Sequence, residues 1–380
     1  MSGSPWALAM SALGAAGDRL AAMMRERGEG DEAIDVCLTL LGALMDGYLN
    51  RLCADALRPS FLPCAGLLQR IGSPNPDILY RRAPIDPAAA YRLSGYRGTA
   101  KEVTLMPFEE PSMRNWPPFD LSETARGPEG AVEVLLSAER PAGYAGDWWR
   151  LEPSMSCLWL RSLSERWGEE EEPRLAMTRL GGPEPGSQGR AGAHEALAPL
   201  AAAVERIVEY GIRHVDELVA GGVVNRLRGT DYSAKGGMPL QWYHEGVFDL
   251  DEGQALLVEA TLPEGCRYLS WSLTDRMLVT LDWTVAQSSL NTTQAAIDPD
   301  GVLRVVVCEG DPGVRNWLDA MGRRSGVIQC RFAGCSQPPS VTATLLAREA
   351  LPPQMERVSP AEREAALLKR RTGAQLRGLL

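Results

Sequence analysis

Histidine and positive charge are both scarce in this chain of 380 residues. It has three histidines, and its 39 lysines and arginines oppose 49 aspartates and glutamates, which gives a formal net charge of −10. A protein that coats nucleic acid or an anionic membrane needs a surplus of cations gathered on one face. The composition therefore predicts no nucleic-acid partner.

The histidines are also poorly spaced for a metal site. His194 and His214 fall in one predicted helix, where their separation corresponds to about 30 Å along the axis. His244 lies beyond that helix, so a centre built from three histidines is disfavoured. We expect no metal and no cofactor.

Common catalytic motifs are absent. The sequence has no G-x-x-x-x-G-K-[ST] loop, no G-x-G-x-x-G after a predicted strand, no G-x-S-x-G elbow and no H-E-x-x-H helix. These absences disfavour nucleotide binding, α/β-hydrolase chemistry and zinc-protease chemistry.

The sequence also lacks targeting signals. Its uncharged opening has no positive n-region, and Asp18 and Arg19 interrupt it too early for a membrane span. We expect a cytoplasmic protein without a membrane span. The eight cysteines have no C-x-x-C spacing, so buried reduced thiols are the simplest interpretation. Cys330 and Cys335 are the nearest pair in sequence and would bridge only under oxidation.

Glycine and proline, by contrast, are abundant. The 38 glycines and 27 prolines punctuate the chain more than an all-helical protein would tolerate. We predict an α+β, mainly β protein, with an antiparallel β-sandwich or jelly-roll body and N-terminal, central and C-terminal helices. In chain order we expect an N-terminal helical segment (1–70), a first β-rich region (75–182), a linker with a long helix (183–222), a second β-rich region (223–345) and a C-terminal helical tail (346–380).

The hydrophobic periodicity supports that division. Apolar residues spaced by three and four predict helices in the first fifty residues and over 194–218, and Ser359, Pro360 and Glu362 predict a capped terminal helix. Asp298-Pro-Asp-Gly301 predicts a hairpin turn. Alternating or β-rich runs predict strands at 91–96, 102–107, 131–136, 156–161, 255–262, 267–273, 277–281, 302–308 and 326–332.

Candidate functional residues concentrate between Trp242 and Asp319. His244 is a candidate general base, Asp275 a candidate acid and Arg276 a candidate anion partner. A structural role for His244, and a turn-stabilising pair for the other two, are the simpler alternatives. The candidate ligand-binding residues, which could equally tie loops to the body, are Tyr80, Arg82, Tyr91, Tyr243, Trp271, Asp282, Asn291, Asn316 and Trp317.

The predicted strand over 267–273 gives these candidates a geometry. Alternation places Leu269, Trp271 and Leu273 on one face, toward a core. Tyr268 and Ser270 then lie on the opposite face, which could line a cavity.

Several short motifs occur in the order found in a known family. They are Asn75-Pro-Asp77, Ile85-Asp-Pro87 and residues 91–98, then residues 147–153, 271–275 and 289–291, and finally Asp300-Gly301 and residues 311–319. In these motifs the chain resembles bacterial proteins that carry domain of unknown function 1214 (DUF1214), which is often found beside DUF1254. The resemblance covers roughly residues 75–335. It implies β-sandwich or jelly-roll modules with attached helices and supplies no reaction.

Two functions from different classes are consistent with this sequence. The first is the binding or metal-free conversion of a hydrophobic small molecule with a polar or anionic group, because tryptophans beside Asp, Arg and His are typical of a mostly apolar pocket with polar anchors. Whether such a protein is an enzyme stays open. The second is a non-catalytic interaction protein whose helical ends mediate self-association into a homo-oligomer or bind a partner.

Overall fold

The computed structural model describes residues 5–27, 33–67, 69–110, 112–127, 129–181, 193–230, 232 and 241–378. Within these residues the protein is mainly β, with several antiparallel sheets and a few helices. None of the helices described is both long and apolar enough to cross a lipid bilayer.

The first strand set forms two sheets. Its strands are β1 (Leu62–Pro63), β2 (Ile78–Pro84), β3 (Ala90–Tyr96), β4 (Glu102–Glu109), β5 (Arg114–Asn115), β6 (Phe119–Asp120), β7 (Ala131–Ser137), β8 (Asp147–Arg150), β9 (Cys157–Leu163) and β10 (Arg174–Leu180). One sheet has the order β1-β2-β9-β4-β5, with β6 also paired to β4, and the other has the order β10-β3-β7-β8. Leu105 and Leu160 of the first sheet share a hydrophobic cluster with Leu93 and Val134 of the second.

The second strand set repeats this arrangement. Its strands are β11 (Arg228–Thr230), β12 (Gln241–Asp249), β13 (Gln254–Thr261), β14 (Tyr268–Thr274), β15 (Ser289–Asn291), β16 (Leu303–Cys308), β17 (Trp317–Asp319), β18 (Ser325–Ala333) and β19 (Ser340–Ala347). The sheet orders are β11-β12-β18-β14-β15 and β17-β16-β13-β19. Trp271 and Ile328 of one sheet pack with Val258 and Val305 of the other. The pairs β7–β8 and β16–β17 are parallel, and the other strand pairs are antiparallel.

Three helices pack together beside these sheets. They are α1 (Pro5–Glu26), α2 (Ala33–Gly47) and α3 (Ala193–Ala220), and α2 continues directly into a π-helical turn, Tyr48–Cys53. Leu20, Val36, Ala43 and Val208 lie in their shared hydrophobic cluster. The helical periodicity of the sequence is thus confirmed, whereas it gave no sign of the π-helical turn.

The C-terminal helix, α4 (Pro360–Leu376), is held by arginines more than by aliphatic residues. The predicted capping box is present, because Ser359 and Glu362 bond each other's backbone N–H groups. Arg363, Arg370 and Arg377 recur every seven residues, and all three are buried against the body. Their guanidinium carbons lie 4.9 to 5.6 Å from tryptophan rings, so cations cover much of the docking face.

Several predicted elements are wrong. Residues 277–281 form no strand, because the Asp275 carboxylate accepts the Met277 and Val279 N–H groups and folds this segment into a turn. The turn at 298–301 forms, but no strand precedes it, since the Asn316 amide bonds both backbone groups of Ala296. Strands β10 and β19 were not predicted, and β19 ends inside the segment expected to be a helical tail.

Candidate functional site

The predicted catalytic residues each make a separate local contact. His244 lies in β12 with its ring edge-to-face against Phe332 at 5.8 Å, and burial lowers the pKa of its imidazole. Asp275 holds its own turn, and Arg276 donates to the Ser325 hydroxyl at 3.0 Å. The structure therefore gives no support to an acid–base set built from these residues.

Four predicted ligand-binding residues tie the scaffold together. Trp271 is fully buried in the second strand set. The Trp317 indole donates to the Cys308 carbonyl, and the Asn316 amide donates to backbone carbonyls. The Tyr91 hydroxyl donates to a carbonyl and accepts a backbone N–H. The polar groups of Trp317, Asn316 and Tyr91 are therefore occupied by the protein itself.

A buried carboxylate, Asp77, joins the two strand sets. It accepts hydrogen bonds from the Asn291 amide at 2.7 Å, the Tyr268 hydroxyl at 2.7 Å and the Trp167 indole at 2.9 Å. Burial raises the pKa of Asp77, and the hydrogen bonds from Asn291 and Tyr268 only partly offset that rise. With 2% of its surface exposed, Asp77 is a structural anchor rather than an accessible acid.

Asn75 extends this junction. Its amide donates to the Tyr268 hydroxyl at 2.7 Å and accepts from the Ser270 hydroxyl at 3.1 Å, while its backbone N–H donates to the Tyr80 hydroxyl at 3.2 Å. Two of the motifs that resemble DUF1214, residues 75–77 and 289–291, thus meet at one internal polar contact between the strand sets.

The polar face of β14 is consequently buried and lines no cavity there. Next to the junction, Arg331 donates to the Ser272 hydroxyl at 3.1 Å and also to Ser73 and Gln329. Its guanidinium lies 5.9 Å from the centre of the Tyr243 ring. Residues 73–77 thus cover this face of β14.

Arg82 is likewise neutralised within the protein. It forms a 2.8 Å ion pair with Glu110, and its guanidinium also faces Asp46 of α2. Burial raises the pKa of Asp46 to about 6, against the opposing attraction of Arg82. This cluster fastens α2 to the first strand set.

The best-connected buried carboxylate is Glu245, which the sequence analysis missed. It accepts from His214 at 2.9 Å, Tyr232 at 2.6 Å and Thr230 at 3.1 Å, and it lies 3.3 Å from Arg228. Burial alone would raise the pKa of Glu245, but the hydrogen bonds from His214 and Tyr232 outweigh it and lower the value to about 2. Alternation along β12 could have identified this residue from the sequence. Because His244 faces the core, the next side chain, Glu245, points to the opposite face, toward α3.

An open groove lies between α2 and the second strand set, with a volume of about 500 Å³. Its walls come from α2, from residues 67–71, from the turn region 275–285 and from Met321 with Arg323. The apolar lining residues are Leu38, Leu41, Met45, Leu67, Ile71, Val279, Leu281, Val285 and Met321. Asp275 and Asp282 line it, and they are the predicted site residues that the structure brings to this groove.

Besides Asp275, which holds its own turn, charged groups lie at two places on the groove wall. Arg323 and Asp35 form a 2.9 Å ion pair. Arg70 is 30% exposed and lies 3.9 Å from Asp282, at the outer limit of an ion pair. One oxygen of Asp282 is occupied by Thr284, which donates through both its N–H and its hydroxyl. Of the two arginines that line the groove, Arg70 therefore has the weaker ion pair within the protein.

A second cleft, of about 480 Å³, lies under α4. Its charged side chains pair with one another or with neighbouring residues, as Lys369 does with Glu169 at 2.9 Å and Arg315 with Glu356 at 2.9 Å. In the described part of the chain, no three His, Cys, Asp or Glu side chains are grouped to hold a metal ion. The groove beside α2 is thus the more suitable of the two for a ligand.

The cysteines are free thiols. Cys330 is fully buried in β18, and Cys335 packs against the hydrophobic cluster to which Cys330 belongs. Cys335 also makes a side-chain contact with Cys266, and burial together with that contact raises the pKa of Cys335 to about 12. The reduced thiols predicted from the sequence are confirmed, but Cys37 and Cys53 are exposed rather than buried.

The comparisons with known proteins establish a shared fold. The chain is similar to the crystal structure of an uncharacterised protein from Burkholderia cenocepacia, with 24% identity, a TM-score of 0.83 and coverage of 92% of this chain and 98% of the other. A structure from Vibrio parahaemolyticus matches with 14% identity over 81% of this chain and 96% of its own, at a TM-score of 0.48. No family model and no curated protein matches the chain.

Proposed function

We propose that this protein binds a small hydrophobic molecule with an anionic group in the groove beside α2. The observation that carries the proposal is the combination of an apolar groove of about 500 Å³ with a partly exposed arginine, Arg70, on its wall. Small-molecule sites are concave and mostly apolar, with a few polar groups that fix orientation.

Arg70 gives the site its preference for an acid. A carboxylate placed against it gains a charge-assisted hydrogen bond, and the 3.9 Å separation from Asp282 leaves the guanidinium donors able to turn toward a ligand. The half-exposed side chains of Leu38, Leu41 and Met45 would cover the ligand's apolar body. The predicted anion partner, Arg276, is replaced in this role by Arg70.

The scaffold we propose is a pair of β-sandwiches, one for each strand set, with the helices packed beside them. Membership of the DUF1214 family and a cytoplasmic location are part of the same proposal. The shared hydrophobic clusters between facing sheets support the sandwiches. The meeting of two DUF1214-like motifs at one junction supports the family.

The test is ligand binding by matched compounds. Binding of medium-chain fatty acids and aromatic acids is compared with that of the corresponding alcohols and amines, by calorimetry and thermal shift. Arg70→Ala is expected to weaken the binding of acids by about 10- to 100-fold and to leave the alcohols nearly unchanged. Arg150→Ala, at an exposed arginine in β8, makes the same charge change and should have no effect. Equal affinity for acids and alcohols, or no binding by either, would refute the proposal.

The second candidate function is assembly through the helical ends, and one observation favours it. The outer side of α2 exposes a continuous row of large apolar side chains. That row carries the inference below, which does not rest on ligand binding.

A further inference from the structure

The outer side of α2 is apolar along its whole length. Ile34, Leu38, Leu41, Met45 and Tyr48 are 49% to 63% exposed, and we call these five residues the outer α2 stripe. Single exposed apolar residues are ordinary on soluble proteins. A contiguous row about 21 Å long is not, and such surfaces mark sites of association.

The helix has two apolar sides. Val36 and Ala43 are buried in the cluster with α1 and α3, and Leu40 and Leu44 pack against it. The outer stripe is a second seam, which those contacts do not use; its middle residues Leu38, Leu41 and Met45 also form one wall of the groove. A helix with apolar residues on all sides is typically buried. The two apolar sides of α2 therefore indicate that the outer side is also covered.

The spacing of the stripe indicates what covers it. Its residues are separated by four, three, four and three positions, which is the a/d repeat by which two helices pack knobs into holes. We propose that the outer α2 stripe is the contact surface of a homodimer, in which α2 of a second copy lies antiparallel across it.

Symmetry and charge favour a second copy in this orientation. The middle of the stripe is Leu41, with Gly42 beside it, so a two-fold axis there places Ile34 opposite the partner's Tyr48 and lets the helices approach closely. Among residues 33–50 there is no lysine or arginine, so the stripe has no cation to hold an anionic lipid surface.

The area is sufficient for a moderate dimer. Specific interfaces bury about 800 Å² on each partner, and weaker ones bury less. Five large side chains exposed by about half, with the neighbouring Cys37 and Gly42, supply a surface near the lower end of that range. We therefore expect dissociation in the micromolar range.

Sedimentation velocity over a concentration series tests the association. Ile34→Glu is expected to weaken the dimer about tenfold or more, because it introduces a charge that the interface would have to desolvate. Leu368→Glu is the matched control, since Leu368 of α4 is also 63% exposed but lies outside the stripe. The end residues Ile34 and Tyr48 do not line the ligand groove, so Ile34→Glu tests the dimer and not ligand binding. Arg70→Ala, in turn, should leave the dimer intact. Failure of one proposal can therefore be told apart from failure of the other.

Cysteine cross-linking tests the orientation in a Cys37→Ser, Cys53→Ser background. An antiparallel pair predicts that Leu41→Cys forms a disulfide-linked dimer with its own copy. Ile34→Cys should not, because its two copies would lie about 21 Å apart. The combination of Ile34→Cys and Tyr48→Cys should cross-link again.

The contrary results are equally specific. A monomer at all concentrations, or a dimer that Ile34→Glu and Leu368→Glu weaken equally, overturns the proposal. Equal self-cross-linking of Ile34→Cys and Leu41→Cys overturns the antiparallel arrangement. A monomer that floats with neutral phosphatidylcholine vesicles, and loses that binding with Ile34→Glu, would assign the stripe to a lipid surface instead. Circular dichroism of each variant establishes that it is folded.

Discussion

Asp46 makes the stability of this protein depend on pH in a direction opposite to that of most carboxylates. The side chain accepts a hydrogen bond from the Asn50 amide at 2.8 Å and lies at the contact between α2 and the first strand set. Burial raises its pKa from 3.8 to about 6, even though Arg82 opposes the rise. The folded protein therefore holds this proton more tightly than the unfolded chain does.

The sign of the effect follows from proton linkage. Below pH 3.8 Asp46 is protonated in both states and burial of its charge costs nothing. As the pH rises from 3.8 toward 6 the unfolded chain releases the proton first, so the free energy of unfolding falls. Above pH 6 both states are ionised and the loss is constant, at most about 3 kcal/mol for a shift of about two pKa units.

The perturbation is Asp46→Asn, which keeps an acceptor for Asn50 and removes the charge. The variant should match the wild type near pH 4 and exceed it at pH 7.5 by as much as about 3 kcal/mol. Urea unfolding followed by tryptophan fluorescence at both pH values measures the difference. Asp251→Asn, in an exposed turn between β12 and β13, should give a difference within a few tenths of a kcal/mol at either pH. Loss of stability in the Asp46 variant at pH 7.5, or a gain of equal size at both pH values, would refute the reasoning.

Three further outcomes are expected. Glu245→Gln should lower the free energy of unfolding at pH 7 by about 3 to 5 kcal/mol, because it breaks a buried pair with His214. Urea unfolding should show that this deficit shrinks as the pH falls from 4.5 toward 2, because the wild-type carboxylate becomes protonated there and no longer stabilises the fold. Arg370→Met should cost about 3 kcal/mol, since buried carbonyls and a hydroxyl lose their donor, and a thermal melt that is unchanged would contradict this. Oxidised glutathione should convert Cys266 and Cys335 to a disulfide, with release of two reduced glutathiones. Non-reducing peptide mapping detects this disulfide. Closing the loop between the two cysteines should stabilise the fold by about 4 kcal/mol.

Periodicity predicted most of the elements because it reflects which side of an element is buried. The residues on the core face of β14, with Trp271 at the centre, are those that alternation selects. Periodicity gave a wrong prediction where a side chain hydrogen-bonds the backbone. Residues 277–281 resemble a strand, but the Asp275 carboxylate accepts two of their N–H groups and folds them into a turn. It also missed β19, whose exposed and partly buried residues give no clear apolar face.

The candidate site was harder to predict than the fold. Asp282 was selected as a ligand residue and does line the groove, whereas Arg70 was not, because a lone arginine between Gln69 and Ile71 carries no motif. The groove itself depends on how α2 sits against the turn at 275–285, which is a contact between distant parts of the chain. Local patterns cannot report such a contact.

The polar residues of the motifs at 75–77 and 289–291 are explained by how the two strand sets meet. Two hydrophobic cores already occupy the inner faces of the sheets, so the contact between the sets falls on the opposite, partly polar faces. A buried polar face is stable only when its groups are paired, and Asn75, Asp77, Tyr268 and Asn291 satisfy one another there. Such residues look like a site in the sequence because pairing buried polar groups requires the same side chains that binding does. The groove and the outer α2 stripe lie away from this junction, so experiments on function belong at Arg70 and Ile34 rather than at the motifs.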